Sequence, residues 1–433
     1  MRDLVFIPLI IVLCGLAFRH PWMGVLTWTW LSLMNPHAYT WAAATMPLAA
    51  VVAGSTFIGM LTSSDPRRLL VTREVVVLAL FMFWVTITYP FSFVLEGSFD
   101  MWSKVMKIDV MILVTLVLLQ SRRQIELLVW VVVISLGFYG VKGGIFTILT
   151  GGTHRVYGPG GFIGGNNEVA LALIMVIPLM RFLQLEARNT WMKWGWAAAM
   201  ILTATAALGS QSRGAFLAIG AMAIYLWIKS PRKLVFGVGI VLGGFLVLGL
   251  MSDAWDVRMG TIANYEQDAS AMGRINAWWM AWNLAKDNVM GGGFDIYNSA
   301  VFARYAPDPL SIHAAHSIYF QVLGEQGFIG LFLFLLMGAF VWRSANWVMR
   351  NAGQSEDTKW CRNLGAMCQV SLVGFAVGGA FLSLAYFDLP YDVLAMVVLT
   401  KRWLQEHLLS APTVAPREKG GIAHGFGSVE HVQ

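Results

Sequence analysis

The stretch HSIYFQVLGEQGFIGLFLFLLMGAF, residues 316–340, decides how the rest of the chain is read. It opens on a polar lip holding His316, Gln321 and Glu325, then continues as apolar residues broken only by glycine. About 20 mainly apolar residues in a helix cross about 30 Å of hydrocarbon. In lipid only helices and closed barrels satisfy the backbone, and the runs here are continuous rather than alternating, so they are read as helices. Composition agrees: 57% of the 433 residues are hydrophobic and 12% are charged, where a soluble domain carries about 25% charge. The expected fold class is therefore all-α, a polytopic integral membrane protein.

Working outward from that stretch, hydropathy marks about thirteen apolar segments along the chain. The first two, near 4–18 and 22–34, are short and separated by Arg19, His20 and Pro21. They are read as one crossing plus a re-entrant or interfacial piece, which leaves about twelve transmembrane helices. A signal peptide is a poor reading, because Leu4 to Phe18 lacks a small-residue cleavage site and the apolar character resumes at once. The expected organisation is N-terminal transmembrane helices over 1–251, a long, partly helical loop over 252–316, C-terminal transmembrane helices over 317–409, and a disordered tail over 410–433. Cys14 and Cys368 fall in apolar spans and Cys361 in a loop, so buried inert thiols are expected rather than disulfides.

Basic residues set the orientation. Arg67, Arg68, Arg73, Arg122, Arg123, Arg188, Lys193, Lys229, Arg232, Lys233, Arg343, Arg350, Lys359, Arg362, Lys401 and Arg402 fall in alternate loops, which places them together on the cytoplasmic side. The net charge of +6 is mostly this topology signal, and no nucleic acid partner is implied.

The opposite face gathers polar residues and glycine in three segments: TGGTHRVYGPGGFIGGNNE (150–168), GSQSRGAF (209–216) and the loop from Ser252 to His316. Arg155, Arg213, Arg258, Arg274 and Arg304 run against the charge rule there and need another explanation. Within the long loop, Ser270 is a candidate N-cap for a helix reaching Asp287, with Ile275, Trp278, Trp279 and Trp282 on one side, suited to the membrane interface. Arg274 near its start suits an anion by the positive end of the dipole, or a lipid headgroup. Arg213 is flanked by Ser210, Gln211, Ser212 and Gly214, which allow a tight turn around a phosphate; pairing with an acid is the structural alternative. His316 has the profile of a general base, against the alternative of a hydrogen-bonding interfacial histidine. On a helix it would share a face with Tyr319 and Phe320, with Glu325 pointing nearly the opposite way. GPGGFIGGNN contains Pro159 and lacks the dinucleotide spacing, no nucleophile elbow occurs, and His313 with His316 lacks further ligands. No metal and no cofactor are expected.

These residues resemble a family. His316-Ser317, nine residues, Gly327, two residues and Gly330 resemble the signature of the O-antigen ligase and O-antigen polymerase superfamily. Arg213 to Leu217 is similar to its arginine–leucine element, and Ser270 to Arg274 with Trp278 and the GGGF at 291–294 is similar to its long-loop pattern. RHPWMGVLTWTWLSLMNPHAYTW near the start resembles the exosortase-associated O-glycosylation ligases. The resemblance implies a metal-independent, inverting, GT-C-like glycosyltransferase of the bacterial inner membrane with a periplasmic active site. It would move a glycan from undecaprenyl diphosphate to lipid A-core in lipopolysaccharide assembly. Arg213 and Arg274 would hold the diphosphate and His316 would activate the acceptor hydroxyl. Lys142, Arg155, Asn166 and Asn167 would steer diphosphate or sugars, with Tyr319 and Glu325 as further substrate-binding candidates. A polymerase or a protein O-oligosaccharyltransferase of the same superfamily is an alternative. A lipid-linked glycan flippase or transporter is another, which should show midplane charges and matching broken helices in two halves.

Overall fold

The computed structural model describes residues 2–229, 233–249, 269–353 and 355–410. Arg258, Arg232 and the expected disordered tail beyond Ser410 lie outside the described residues. Among the described residues the secondary structure is helical, without a strand. By length and composition, the helical stretches Arg73–Phe91, Arg122–Leu149, Asn166–Glu186 and Ile318–Asn351 can each cross a membrane, and Leu48–Thr62 is a shorter apolar helix.

Helices α1 (Arg2–Arg19) and α2 (Pro21–Met34) are separate, and both pack on α3 (Leu48–Thr62). Pro21 begins α2 because its fixed φ suits a first turn and its ring cannot continue the preceding helix. The pair is antiparallel. At one end His20 Nδ1 meets Asp65 at 3.2 Å; at the other Asp3 accepts from the backbone N–H groups of Ala42 and Ala43 at 3.0 and 2.9 Å.

Next come α4 (Arg73–Thr88), α5 (Leu95–Leu118), α6 (Arg122–Leu149), α7 (Asn166–Glu186), α8 (Thr190–Gly209), α9 (Arg213–Lys229) and α10 (Lys233–Leu248). The remainder is α11 (Ala269–Asp287), α12 (Ser299–Tyr305), α13 (Ile318–Asn351), α14 (Glu356–Gly379) and α15 (Asp388–Ser410). Helix α7 is apolar all round and lies at the centre, its residues Val169 to Val176 fully buried between α6, α8, α9 and α14. Glycines allow that density: a Cβ on Gly140 would meet Thr203, and one on Gly144 would meet the Leu202 backbone, so α6 and α8 touch almost backbone to backbone.

Basic loops do converge on one end of the bundle. Arg68 pairs with Glu406 at 2.7 Å, Arg122 with Glu126 at 2.7 Å and Glu186 at 3.5 Å, and Lys401 with Glu74 at 3.6 Å. Cys361 is a correction. It sits buried inside α14 rather than in a loop, because Ser355 and the acidic first turn of Glu356 and Asp357 start that helix two turns early.

Helix α13 carries a break. Gly327 has φ 66° and ψ −172°, a conformation that is essentially glycine-only. The break frees three successive carbonyls, and each finds a donor from outside the helix. Gly292 N–H donates to Gly324 O at 2.9 Å, Gly293 N–H to Glu325 O at 3.0 Å, and the Trp84 indole to Gln326 O at 2.8 Å. The GGGF segment thus threads into the bundle against α13, anchored on its far side by Ser98 Oγ donating to Phe294 O at 2.8 Å.

Candidate active site

At the end opposite the basic loops, the three polar segments singled out from the sequence come together. Val156 N–H donates to Gly209 O at 3.2 Å, Gln211 Nε2 to Gly152 O at 3.0 Å, and Arg155 Nε to Gln211 Oε1 at 3.2 Å. Asn166, in the first turn of α7, donates to Ser210 O at 2.8 Å. Arg213 follows as the first residue of α9, half-buried, with Ser212 Oγ accepting from Ala215 N–H at 3.3 Å as a cap.

His316 does not lie on a helix, which corrects the expected face shared with Tyr319 and Phe320. It occupies the turn before α13 at φ 43°, a left-handed conformation that histidine tolerates better than most side chains. Two neighbours hold that turn. The Trp278 indole N–H donates to Ala315 O at 2.7 Å, and its ring stacks on Phe320 at 5.0 Å and 6°. From the other side Tyr319 OH donates to Ala376 O at 2.8 Å. The Trp-rich face of α11 is therefore split: Trp279 and Trp282 remain substantially exposed, whereas Trp278 faces inward to fix the histidine.

Arg274 sits in the second turn of α11 rather than at its start, so the helix dipole is not its main field. Its charge acts on His316 and also on Glu168, the acid two residues after Asn166. The first turn of α7 consequently bridges the two arginine segments, Asn166 reaching the Arg213 turn and Glu168 reaching Arg274. A further turn, 378–382, closes the ring: Gly214 abuts Phe381 and Gly379 abuts Ile318. The segments that carry Arg213, Arg274 and His316 thus meet at one polar mouth.

Burial pushes the His316 imidazole down to about 4, with the positive charges of Arg274 and His313 acting in the same direction. Its Nδ1 is buried and has no hydrogen-bond partner among the described residues. A neutral imidazole beside fixed cations can take a proton from a hydroxyl while an anion gathers at the guanidinium groups. Below the mouth an apolar groove of about 270 Å³ begins at Ile318 and Tyr319 and runs between α13, α14 and α15 past Phe334, Val341, Leu372 and Leu394.

Residues 198–335 match the O-antigen ligase family model. That match contains Arg213, Arg274 and His316, and it supports a glycosyltransferase of the O-antigen ligase/polymerase type that uses lipid-linked glycans. Residues 1–190 match a family of unknown function (DUF5935). Among curated proteins none matches the chain.

Other candidates are spread more widely. Lys142 lies over the Tyr39 ring at 5.8 Å, beside the loop after α2. Arg304 covers Tyr305 at 5.1 Å on α12. Asn167 is half-buried in the first turn of α7. Glu325 is fully enclosed under the GGGF segment, facing Tyr386 and Gln321, a full two turns into α13 from the mouth. Glu168 and Trp278 were not singled out as site residues from the sequence. An acid in the first turn of a helix that borders displaced arginines was the signal for Glu168; Trp278 stood out only through its place in the long-loop pattern, which assigned it no part in holding the histidine.

Replacing Trp278 by Phe keeps the stacking and removes the bond to Ala315 O. One such bond contributes about 1 kcal/mol, so a roughly fivefold fall in kcat at unchanged KM is the expected outcome of steady-state assays. A change in KM alone would show that Trp278 touches substrate rather than positioning the histidine.

Proposed function

We propose that this chain is an inverting, metal-independent O-antigen ligase that transfers glycan from undecaprenyl diphosphate to lipid A-core, with its basic end in the cytoplasm and its polar mouth in the periplasm. In this reading it is a GT-C-like inner-membrane enzyme of about twelve crossings, close to the exosortase-associated ligases. The observation that carries the proposal is the juxtaposition of a neutral, clamped His316 with Arg274 inside the segment that matches the ligase family.

The chemistry follows from charge. The acceptor hydroxyl attacks the anomeric carbon from the face opposite the diphosphate and gives its proton to His316. The bond from the anomeric carbon to the diphosphate oxygen breaks, its electron pair leaves with the diphosphate, and configuration inverts. Arg213 and Arg274 meet the charge that grows on that leaving group; guanidinium binds phosphate oxygens in a bidentate fork. The groove below Ile318 and Tyr319 takes the polyprenyl tail.

The test is transfer by purified protein given undecaprenyl-diphosphate glycan and, in separate reactions, lipid A-core, a second glycan-lipid or a Ser/Thr peptide. Lipid A-core is expected to gain the mass of the glycan. Mass gain only on the glycan-lipid would make the chain a polymerase, gain only on the peptide a protein O-oligosaccharyltransferase, and glycan-lipid movement across vesicles without mass gain a flippase.

A further inference from the structure

A larger groove, of about 730 Å³, lies between α2, α3 and α5, away from the mouth just described. Its origin is legible in LAAVVAG, residues 48–54: Ala49, Ala50, Ala53 and Gly54 put small side chains on one face of α3, leaving space that larger residues would fill. α3 starts at Leu48 at the mouth end, and Phe57 lines the groove nine residues on, so this wall descends about 14 Å from that end. The walls are mainly apolar, yet two lysines enter it. Lys104 and Lys107, three apart on α5, share one face and are both exposed towards the groove.

The lysines are incompletely compensated. Lys104 Nζ sits over the Phe162 ring at 3.7 Å and within electrostatic reach of Asp388, which accepts from Ser32 Oγ at 2.5 Å. Neither lysine forms an ion pair among the described residues. Among the residues that line the groove, one carboxylate, Asp388, thus stands against two ammonium groups, with Asp109 and Asp392 buried behind it. Net positive charge in a lipid-facing apolar groove is costly unless an anion meets it, and membrane lipids supply that anion as phosphate.

One loop separates this groove from the candidate active site. Asn35 Nδ2 donates to Pro159 O at 3.4 Å and Phe162 packs on Phe387 at 6.2 Å, holding the groove side of the loop. Its other side is fixed by Val156 to Gly209 and leads into Asn166. The proposed transfer needs two substrates, and Arg213, Arg274 and the α13–α14 groove already account for the diphosphate donor. We infer that the groove between α2, α3 and α5 docks the acceptor, a glycolipid bearing phosphate, with Lys104 and Lys107 at its phosphate and its acyl chains against the small-residue face of α3. This rests on the transferase reading, and it favours a lipid acceptor over a peptide, which would bring no phosphate to the lysines.

The test measures binding separately from transfer. Full-length protein in phosphatidylcholine nanodiscs is titrated with lipid A-core and with enzymatically dephosphorylated lipid A-core. The phosphorylated form is expected to bind about tenfold tighter or more, and the Lys104→Gln/Lys107→Gln variant to lose that preference, on the scale of charge-assisted hydrogen bonds. Lys104→Arg/Lys107→Arg should keep it, which separates lost charge from lost fold, and Arg213→Ala should keep binding while losing transfer. Equal binding of the two lipids, an unchanged preference in the Gln variant, or equal displacement by phosphatidylglycerol would overturn the inference, the last by making this a bulk-lipid site. Intact binding without transfer by the unaltered protein would instead sink the transferase reading and leave the groove standing.

Discussion

His316→Ala is expected to lower kcat by about 10²- to 10⁴-fold, the range that a positioned general base contributes, with little change in donor binding. Its ring lies in a turn fixed by Trp278 and Tyr319 on either side. The pH profile gives a sharper check. Burial and two neighbouring positive charges hold His316 at about 4. The neutral, proton-accepting form is therefore present above that value and is lost as pH falls through it. The acid limb of kcat/KM, which reports the free enzyme, should lie near pH 4 rather than near the ordinary histidine value of about 6.5. A limb near 6.5 that vanishes in His316→Ala would contradict the buried geometry. Full activity of His316→Ala, with normal expression, would remove the histidine from the mechanism.

Arg274→Ala should cost about 10² to 10³ in kcat, as loss of one preorganised donor to a developing anion does. It should also move the acid limb to higher pH. Arg274 is one of the cations that hold His316 down, so its removal raises the imidazole and extends the protonated, inactive form upward. Arg274→Lys retains that charge but not the planar fork, so it should restore the position of the limb and little of the rate. A rate loss without any movement of the limb would mean that Arg274 and His316 do not share a site.

Much of this was open to reading in the chain because membrane proteins advertise their spans. The long apolar runs, the basic loops gathered at one end and the displaced arginines at the other follow from hydropathy and charge, and the structure brings the segments of Arg155, Arg213 and Arg274 together. The failures share a physical cause. A hydropathy reading sees runs, not breaks, so it carried His316 into the helix when the helix begins two residues later, and it gave no sign that Gly327 interrupts the helix. It also discounts charge at the ends of a span: Lys107 falls inside a segment read as apolar and Lys104 and Asp388 just outside such segments, although all three line a groove. Trp278 was legible as an aromatic of an interfacial helix, but its bond to Ala315 joins residues 37 apart through a turn that no periodicity predicts.

The break at Gly327 also bears on how the protein is made. The carbonyls it frees are satisfied by Gly292 and Gly293, which precede α13 in the chain, and by Trp84, earlier still. Every donor that the broken helix needs is thus synthesised before the helix itself. The last three described helices therefore find the partners of the broken helix already present in the chain that precedes them.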